Sequence, residues 1–477
     1  MAITKKLIGS LALAASALLA QAPSSLVRIS VAAVDSGGQP VEDLKAADLQ
    51  VSDQGKAEQI VFFRRNAPAP QTAPLAPHEY SNRTSAAPHS TVILFDLMNE
   101  NQADRLDAWH KLGRSLQQLE SGESVYLYLL TLEGTLSPIH AIGKSGAKSD
   151  DDKTWTQQIE KVLDKAMKAA SHAPPAGIDQ EMVVKKTYVA LETLANQLAA
   201  LPGRRDIVWV TSGTPNVWNT KSPCSGDWID CALYVPHLSV TLTAANVAVN
   251  PLTYTSSPSP DLNRDLEMMA GLTGGWPYFG EDIRAVLKEV ARDAAFSYSI
   301  FYDPAADNWD SKFHKVRVTT ERKGLKLRAR QRYYAFPDKR PDAAKQQPVL
   351  AAAFQSLSDD PGIGLRITVT PGPDAAKSVP LAIQIDAADL LLREEGGNFT
   401  GGLTFLVADM GASGPVGDPT INTSTIHLTP DQRAAAMKDG FPLPQDHLIS
   451  DSIQKLRVIV LDQGSNIAGS LTIPARP

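Results

Sequence analysis

Val92, Ile93, Leu94 and Phe95 form an unbroken apolar run that ends in a carboxylate, Asp96. A short run of this kind predicts a strand buried on both faces, as in a parallel sheet. Strand–helix alternation follows it. Leu106, Trp109, Leu112, Leu116 and Leu119 recur at helical spacing, as do Trp155, Ile159, Val162 and Leu163. A third helix carries Val184, Tyr188, Leu191, Leu194 and Leu198 and stops at Pro202 and Gly203. Strands are predicted over 124–132, 136–142, 206–211, 247–254 and 298–302, with helices around 262–269 and 283–290. This order predicts the α/β class, with a central doubly wound, Rossmann-like sheet. The Asp96 strand would then present its carboxylate at the carboxyl end of the sheet, where such sheets bind ligands.

The flanks carry a different pattern. Val27, Ile29 and Val31 alternate with polar residues and predict a small β unit over 23–66. Residues 67–89 hold Pro68, Pro70, Pro74, Pro77 and Pro88 and predict a linker. The central domain is expected over 90–303. A β-hairpin extension around Lys323 and Gly324 follows over 304–335, then a linker with a short helix over 336–361. Residues 362–477 show short strands at the spacing of a β-sandwich.

Composition narrows the function classes. The 477 residues are 43% hydrophobic and 21% charged, enough for a real core. With 46 basic and 52 acidic residues and a net charge of -6, no nucleic-acid partner is expected. Lys5 and Lys6, the apolar stretch Leu7 to Ala20 and the Ala20-Gln21-Ala22 site predict a Sec-type signal peptide over 1–22. The expected location is periplasmic or secreted, with no stable membrane insertion after cleavage; an uncleaved anchor is the alternative. Export allows a disulfide between Cys224 and Cys231, the only cysteines, with two free thiols as the plainer alternative.

Several motifs together resemble one family. Gly38-Gln-Pro-Val-Glu-Asp-Leu-Lys-Ala-Ala-Asp-Leu49 is similar to its opening β motif, and Phe95-Asp-Leu-Met-Asn99 to its first strand end. Tyr80-Ser-Asn-Arg83, Pro202-Gly-Arg-Arg205, Leu272-Thr-Gly-Gly275, Lys315-Val-Arg-Val318 and Arg328-Ala-Arg-Gln-Arg-Tyr-Tyr334 follow in family-like order. Leu456-Arg-Val-Ile-Val-Leu-Asp462, followed by Gly469-Ser470, resembles the end of the family's last β domain. The chain thus resembles the von Willebrand factor A-related domain proteins common in acidobacteria. That resemblance implies a von Willebrand A-like sheet flanked by β domains, and a protein-binding or adhesive role at the cell envelope.

Working domains of this type hold a divalent cation with Asp-x-Ser-x-Ser, a Thr and a second Asp. Here Asp96 is kept, Met98 stands at the first Ser, Glu100 at the second, and Ser212 replaces the later Asp. A thioether is a poor ligand for a hard cation. The candidate set is therefore Asp96, Glu100 and Ser212, a degenerate site for Mg²⁺ or Mn²⁺, and no bound cofactor is expected. Thr187 falls inside a predicted helix and is not counted in the set. The plainer role for Asp96 is to accept backbone N–H bonds just after its strand.

No enzyme motif is present: there is no H-E-x-x-H, G-x-S-x-G or Walker loop. Ser212 at a strand end leaves a serine hydrolase as the outside alternative. A divalent-cation-dependent adhesin with a working modified site is the nearer one. Trp218, Trp228 and Tyr234 cluster after the same strand and form the candidate surface for an unknown protein partner.

Overall fold

The computed structural model describes residues 26–66, 74–83, 89–99, 111, 125–140, 142, 161, 180–201, 203–213, 231–254, 259–356, 358–370, 378–412, 414–448 and 453–475. The signal peptide expected over 1–22 lies outside them, as do nearly all of the two helices expected around Leu106–Leu119 and Trp155–Leu163. The chain is a mixed α/β structure with several sheets.

The apolar run lies in the strand His89–Asp96. It sits inside a six-stranded sheet ordered Tyr278–Phe279, Val247–Thr253, Arg204–Val210, His89–Asp96, Val125–Leu130, Leu136–His140. All neighbours pair parallel except the last strand, which is antiparallel. Alternate side chains of the Asp96 strand face opposite ways, as the pleat requires. Val92 and Leu94 pack with Tyr188, Leu191 and Leu194 of the helix Gln180–Leu198 and with Leu238 of the helix Cys231–Ala244. Ile93 and Phe95 pack with Val286, Leu287 and Val290 of the helix Ile283–Ala295. Both faces are covered, which is why the run carries no polar alternation.

Local chemistry sets the helix ends. Ser259 accepts from the Leu262 N–H, Pro260 occupies the first turn, and Gly274 closes the helix Pro260–Thr273 in the left-handed conformation at φ 82°. Asp282 caps the helix Ile283–Ala295 through the Arg284 N–H.

Three expectations are corrected. The strand Ser297–Tyr302 does not join the central sheet; it pairs antiparallel with Val27–Val34 and with Ile60–Arg65. Tyr298, Ile300 and Tyr302 enter the core of the N-terminal strands, while Phe301 enters the core of the C-terminal sheets. Burial on both faces gave this segment the look of a central strand. The hairpin is also split. Phe313–Thr320 pairs with Arg332–Tyr334 and with Leu49–Asp53, whereas Lys326–Ala329 crosses to Val27–Val34. The N-terminal strands and the 304–335 segment therefore share one core, containing Ile29, Val31, Val316 and Tyr333.

The predicted 67–89 linker contains the strand Glu79–Ser81, which pairs antiparallel with Leu365–Val369. Asn82 fastens it. Its Nδ2 donates to the carbonyls of Asp360 at 2.9 Å and Ile363 at 2.8 Å, and its Oδ1 accepts from the Leu365 N–H at 2.8 Å. The 336–361 segment holds the helix Asp342–Gln355, whose Ala353 packs on Leu406, Ile459 and Leu461. Beyond it, two antiparallel sheets share a core that includes Ile367, Ile383, Leu403 and Val458.

Asp462 ends the strand Lys455–Asp462 at 1% exposure. Its Oδ2 accepts the backbone N–H of Ser465 at 2.8 Å and of Leu391 at 3.3 Å. Burial pushes its carboxyl up to about 6, from 3.8. The folded chain therefore takes up a proton that the unfolded chain binds only near 3.8. This contribution to stability is complete below the unfolded value and is lost as pH rises through about 6. About two pH units correspond to about 3 kcal/mol. Melting curves of the parent chain and of Asp462→Asn, taken from pH 7.5 to pH 4.5, are expected to diverge as pH falls, with the parent gaining relative to the variant. Parallel curves would remove Asp462 from the pH dependence.

Candidate functional site

Asp96 is fully buried at the carboxyl end of its strand. The chain turns at once after it, and the turn returns two backbone donors to the carboxylate. Met98 N–H donates to Oδ1 at 2.9 Å and Asn99 N–H donates to the same oxygen at 3.0 Å. Oδ2 is served by two side chains. Asn99 Nδ2 donates to it at 2.7 Å, and Trp209 Nε1, from the neighbouring strand Arg204–Val210, donates at 2.9 Å. Trp209 is itself fully buried, so its one polar atom needed a partner inside the protein.

The cluster extends one step further. Asn99 Nδ2 also donates to Thr187 Oγ1 at 2.8 Å. Thr187 is fully buried on the helix Gln180–Leu198. One amide thus ties the strand-end carboxylate to a helix on one face of the sheet. Burial raises the Asp96 carboxyl above its ordinary value; the bonds from Asn99, Trp209 and Met98 oppose that shift.

The Ser212 turn packs against the same loop. Thr211 Oγ1 donates to the Gly213 carbonyl at 2.6 Å, and Thr211 N–H donates to the Leu252 carbonyl at 3.0 Å. A Cβ on Gly213 would lie 2.3 Å from the Asn99 carbonyl oxygen, so only glycine admits this approach. Asp96 and the Ser212 turn are therefore brought together across the Asn99 loop. Glu100, Trp218, Trp228 and Cys224 lie outside the described residues, and with them the expected pairing of Cys224 with Cys231. Tyr234, expected on a loop, is in the helix Cys231–Ala244 and stacks on Tyr188, with ring centroids 6.3 Å apart.

These residues do not fit a hard cation at Asp96. A carboxylate has about four acceptor directions, and four N–H groups engage this one. Trp209 Nε1 and Asn99 Nδ2 are donors and cannot ligate a metal. Met98, buried at 7% exposure, offers only a thioether. Among the described residues, no three His, Cys, Asp or Glu side chains converge as a metal would need.

Asn99, Thr187 and Trp209 were not among the candidate site residues. The signal for Asn99 was present, since an Asp followed by a turn favours local bonds to backbone N–H groups. Trp209 could have been suspected from a tryptophan inside a buried strand. Thr187 carried no local signal, because its role depends on how the helix docks.

No protein-family model matches the chain, and no curated protein matches it. Among solved structures, the human COPII-coat protein Sec24c aligns with a TM-score of 0.26 and 10% identity, over 58% of this chain and 52% of that one. This chain therefore spans about half the length of that structure, and a likeness of this size carries no argument about fold or function.

Proposed function

We propose that the chain is a secreted or periplasmic, non-enzymatic binding module. In this reading a von Willebrand A-like, doubly wound sheet lies between an N-terminal β unit and a C-terminal β-sandwich. Its metal-ion-dependent site is retired, and it engages a protein partner at the carboxyl end of the sheet. The observation that carries the proposal is the saturated Asp96 carboxylate, held by Met98, Asn99 and Trp209. A carboxylate kept at the ligand-binding end of a parallel sheet, with its acceptor positions turned inward, suits a scaffold and not a cation-bridged contact. The aromatic residues Trp218 and Trp228 supply the proposed contact surface.

The test is retention of envelope proteins on the immobilised chain, in chelator and in millimolar Mg²⁺. The same partner is expected in both buffers, with retention lost in a Trp218→Ala/Trp228→Ala double variant. Retention only with Mg²⁺ would favour the cation-dependent adhesin, and no retained partner would contradict the proposal. Labelling by a fluorophosphonate that disappears in Ser212→Ala would instead make the chain a hydrolase.

A further inference from the structure

Arg204 and Arg205 open the strand Arg204–Val210, at the end of the sheet opposite Asp96. There the central sheet meets the N-terminal strands and the segment around Asp360, and a cleft of about 640 Å³ lies between them. Arg28, Arg204, Arg205 and Arg330 all line it. A recess of about 20 Å³ adjoins it, lined by Arg28, Arg204 and Arg330 with Ser30, Thr243 and Asn246. That exceeds the roughly 10–15 Å³ that one water requires.

The charges in this cleft do not balance. Arg204 is paired, its Nε 3.2 Å from Asp206 Oδ2. Among the described residues, Arg205 donates only to backbone carbonyls, those of Leu201 and Ala245. Arg28 donates to the neutral Ser299 Oγ at 3.2 and 3.3 Å. Arg330 is 7% exposed and has no hydrogen-bond or ion-pair partner among the described residues. No carboxylate oxygen among those residues lies within 4.0 Å of Arg28, Arg205 or Arg330. Asp360 also lines the cleft, but its Oδ1 is taken by the Gly362 N–H at 2.8 Å. Burial, then the charges of Arg64, Arg205 and Arg330, push the Arg28 guanidinium down to about 9 against the opposing charge of Asp360; burial pushes Arg330 down to about 10, with Tyr302 opposing. Arg28 and Arg205 are half-buried with Asp360 as the nearby opposing charge, whereas Arg330 is buried with no ion-pair partner among the described residues. A buried, unpaired guanidinium is costly, and a bound anion offsets that cost.

We propose that this cleft binds a small organic anion whose phosphate or carboxylate head is held by Arg28 and Arg330 at the recess. Guanidinium forks match both heads in bidentate fashion. Thr243 and Asn246 add neutral polar groups beside them. The wider cleft falls in the roughly 300–1,000 Å³ range of small-molecule sites. Half-buried Trp309 and exposed Phe336 line it and offer an apolar wall to the body of the ligand.

The experiment is calorimetric titration of the full chain with inorganic phosphate, phenyl phosphate and benzoate at constant ionic strength. One-to-one binding is expected, with at least one aromatic anion tighter than inorganic phosphate. Tighter phenyl phosphate assigns a phosphate head, and tighter benzoate a carboxylate head. Loss of a charge-assisted bond predicts binding at least about tenfold weaker in Arg330→Met and in Arg28→Gln. Without ligand, Arg330→Met is expected to melt no lower than the parent chain, because it removes an unpaired charge. Absence of binding by all three probes up to about 10 mM would overturn the proposal. So would parent-like affinity in the Arg28→Gln variant, which is read alone if Arg330→Met does not fold.

Discussion

Replacing Asp96 with Ala is expected to destabilise the central sheet by about 3–5 kcal/mol, although the change removes a buried charge. The four donors that converge on the carboxylate come from the turn after its own strand and from Trp209 on the next strand. Asn99 Nδ2 keeps Thr187 as an acceptor, but Trp209 Nε1 loses the partner that satisfies it in the core. Each orphaned buried donor costs about 1–3 kcal/mol. Asp96→Asn retains the shape yet sets an NH₂ against N–H donors, so about 1–3 kcal/mol of the loss should remain. The urea transition followed by tryptophan fluorescence reads both values. A carboxylate kept only as a metal ligand behaves oppositely: without metal, its removal is neutral or stabilising.

The second large effect is expected far from that site. Asp53 is 1% exposed and gathers three side chains from three other strands. Tyr302 Oη donates to its Oδ2 at 3.0 Å and Tyr333 Oη at 2.7 Å, while His314 Nδ1 lies 3.2 Å from Oδ1. His314 Nε2 in turn meets Asp310 Oδ1 at 3.1 Å. Burial, with the nearby Asp53 charge, raises both phenols, so they stay protonated donors. Asp53→Ala leaves two phenols and an imidazole without their acceptor in a closed β core, a loss of about 3–5 kcal/mol. Asp53 lies in Leu49–Asp53, whereas its partners follow the central sheet in sequence. The substitution should therefore free the N-terminal strands first, giving early protease cleavage within 26–66 while the parallel sheet stays protected. Uniform loss of protection would show that Asp53 is not what fastens this unit.

The parallel strands were legible in the sequence because both of their faces are buried, so hydrophobicity alone marks them. The same signal misplaced Ser297–Tyr302. Two-sided burial does not say which sheet a strand joins, and here the two sides are the N-terminal and C-terminal cores. Proline content hid Glu79–Ser81, a strand whose pairing depends on Leu365–Val369, far along the chain. At the site, Asp96 and its turn were legible, since those bonds are local. The contributions of Thr187 and Trp209 were not, because they arise from helix docking and strand order. The arginine cleft gave no sequence signal at all: Arg28, Arg204 and Arg330 meet only through the fold.

The strand-end carboxylate is expected to hold the fold together and not to hold a cation. Calorimetric titration of the chelator-stripped full chain with Mg²⁺ and Mn²⁺, beside Asp96→Asn, tests it most directly. No saturable heat is expected for either ion up to about 10 mM, in the parent or the variant. Stoichiometric binding by the parent that disappears in a folded Asp96→Asn chain would contradict it.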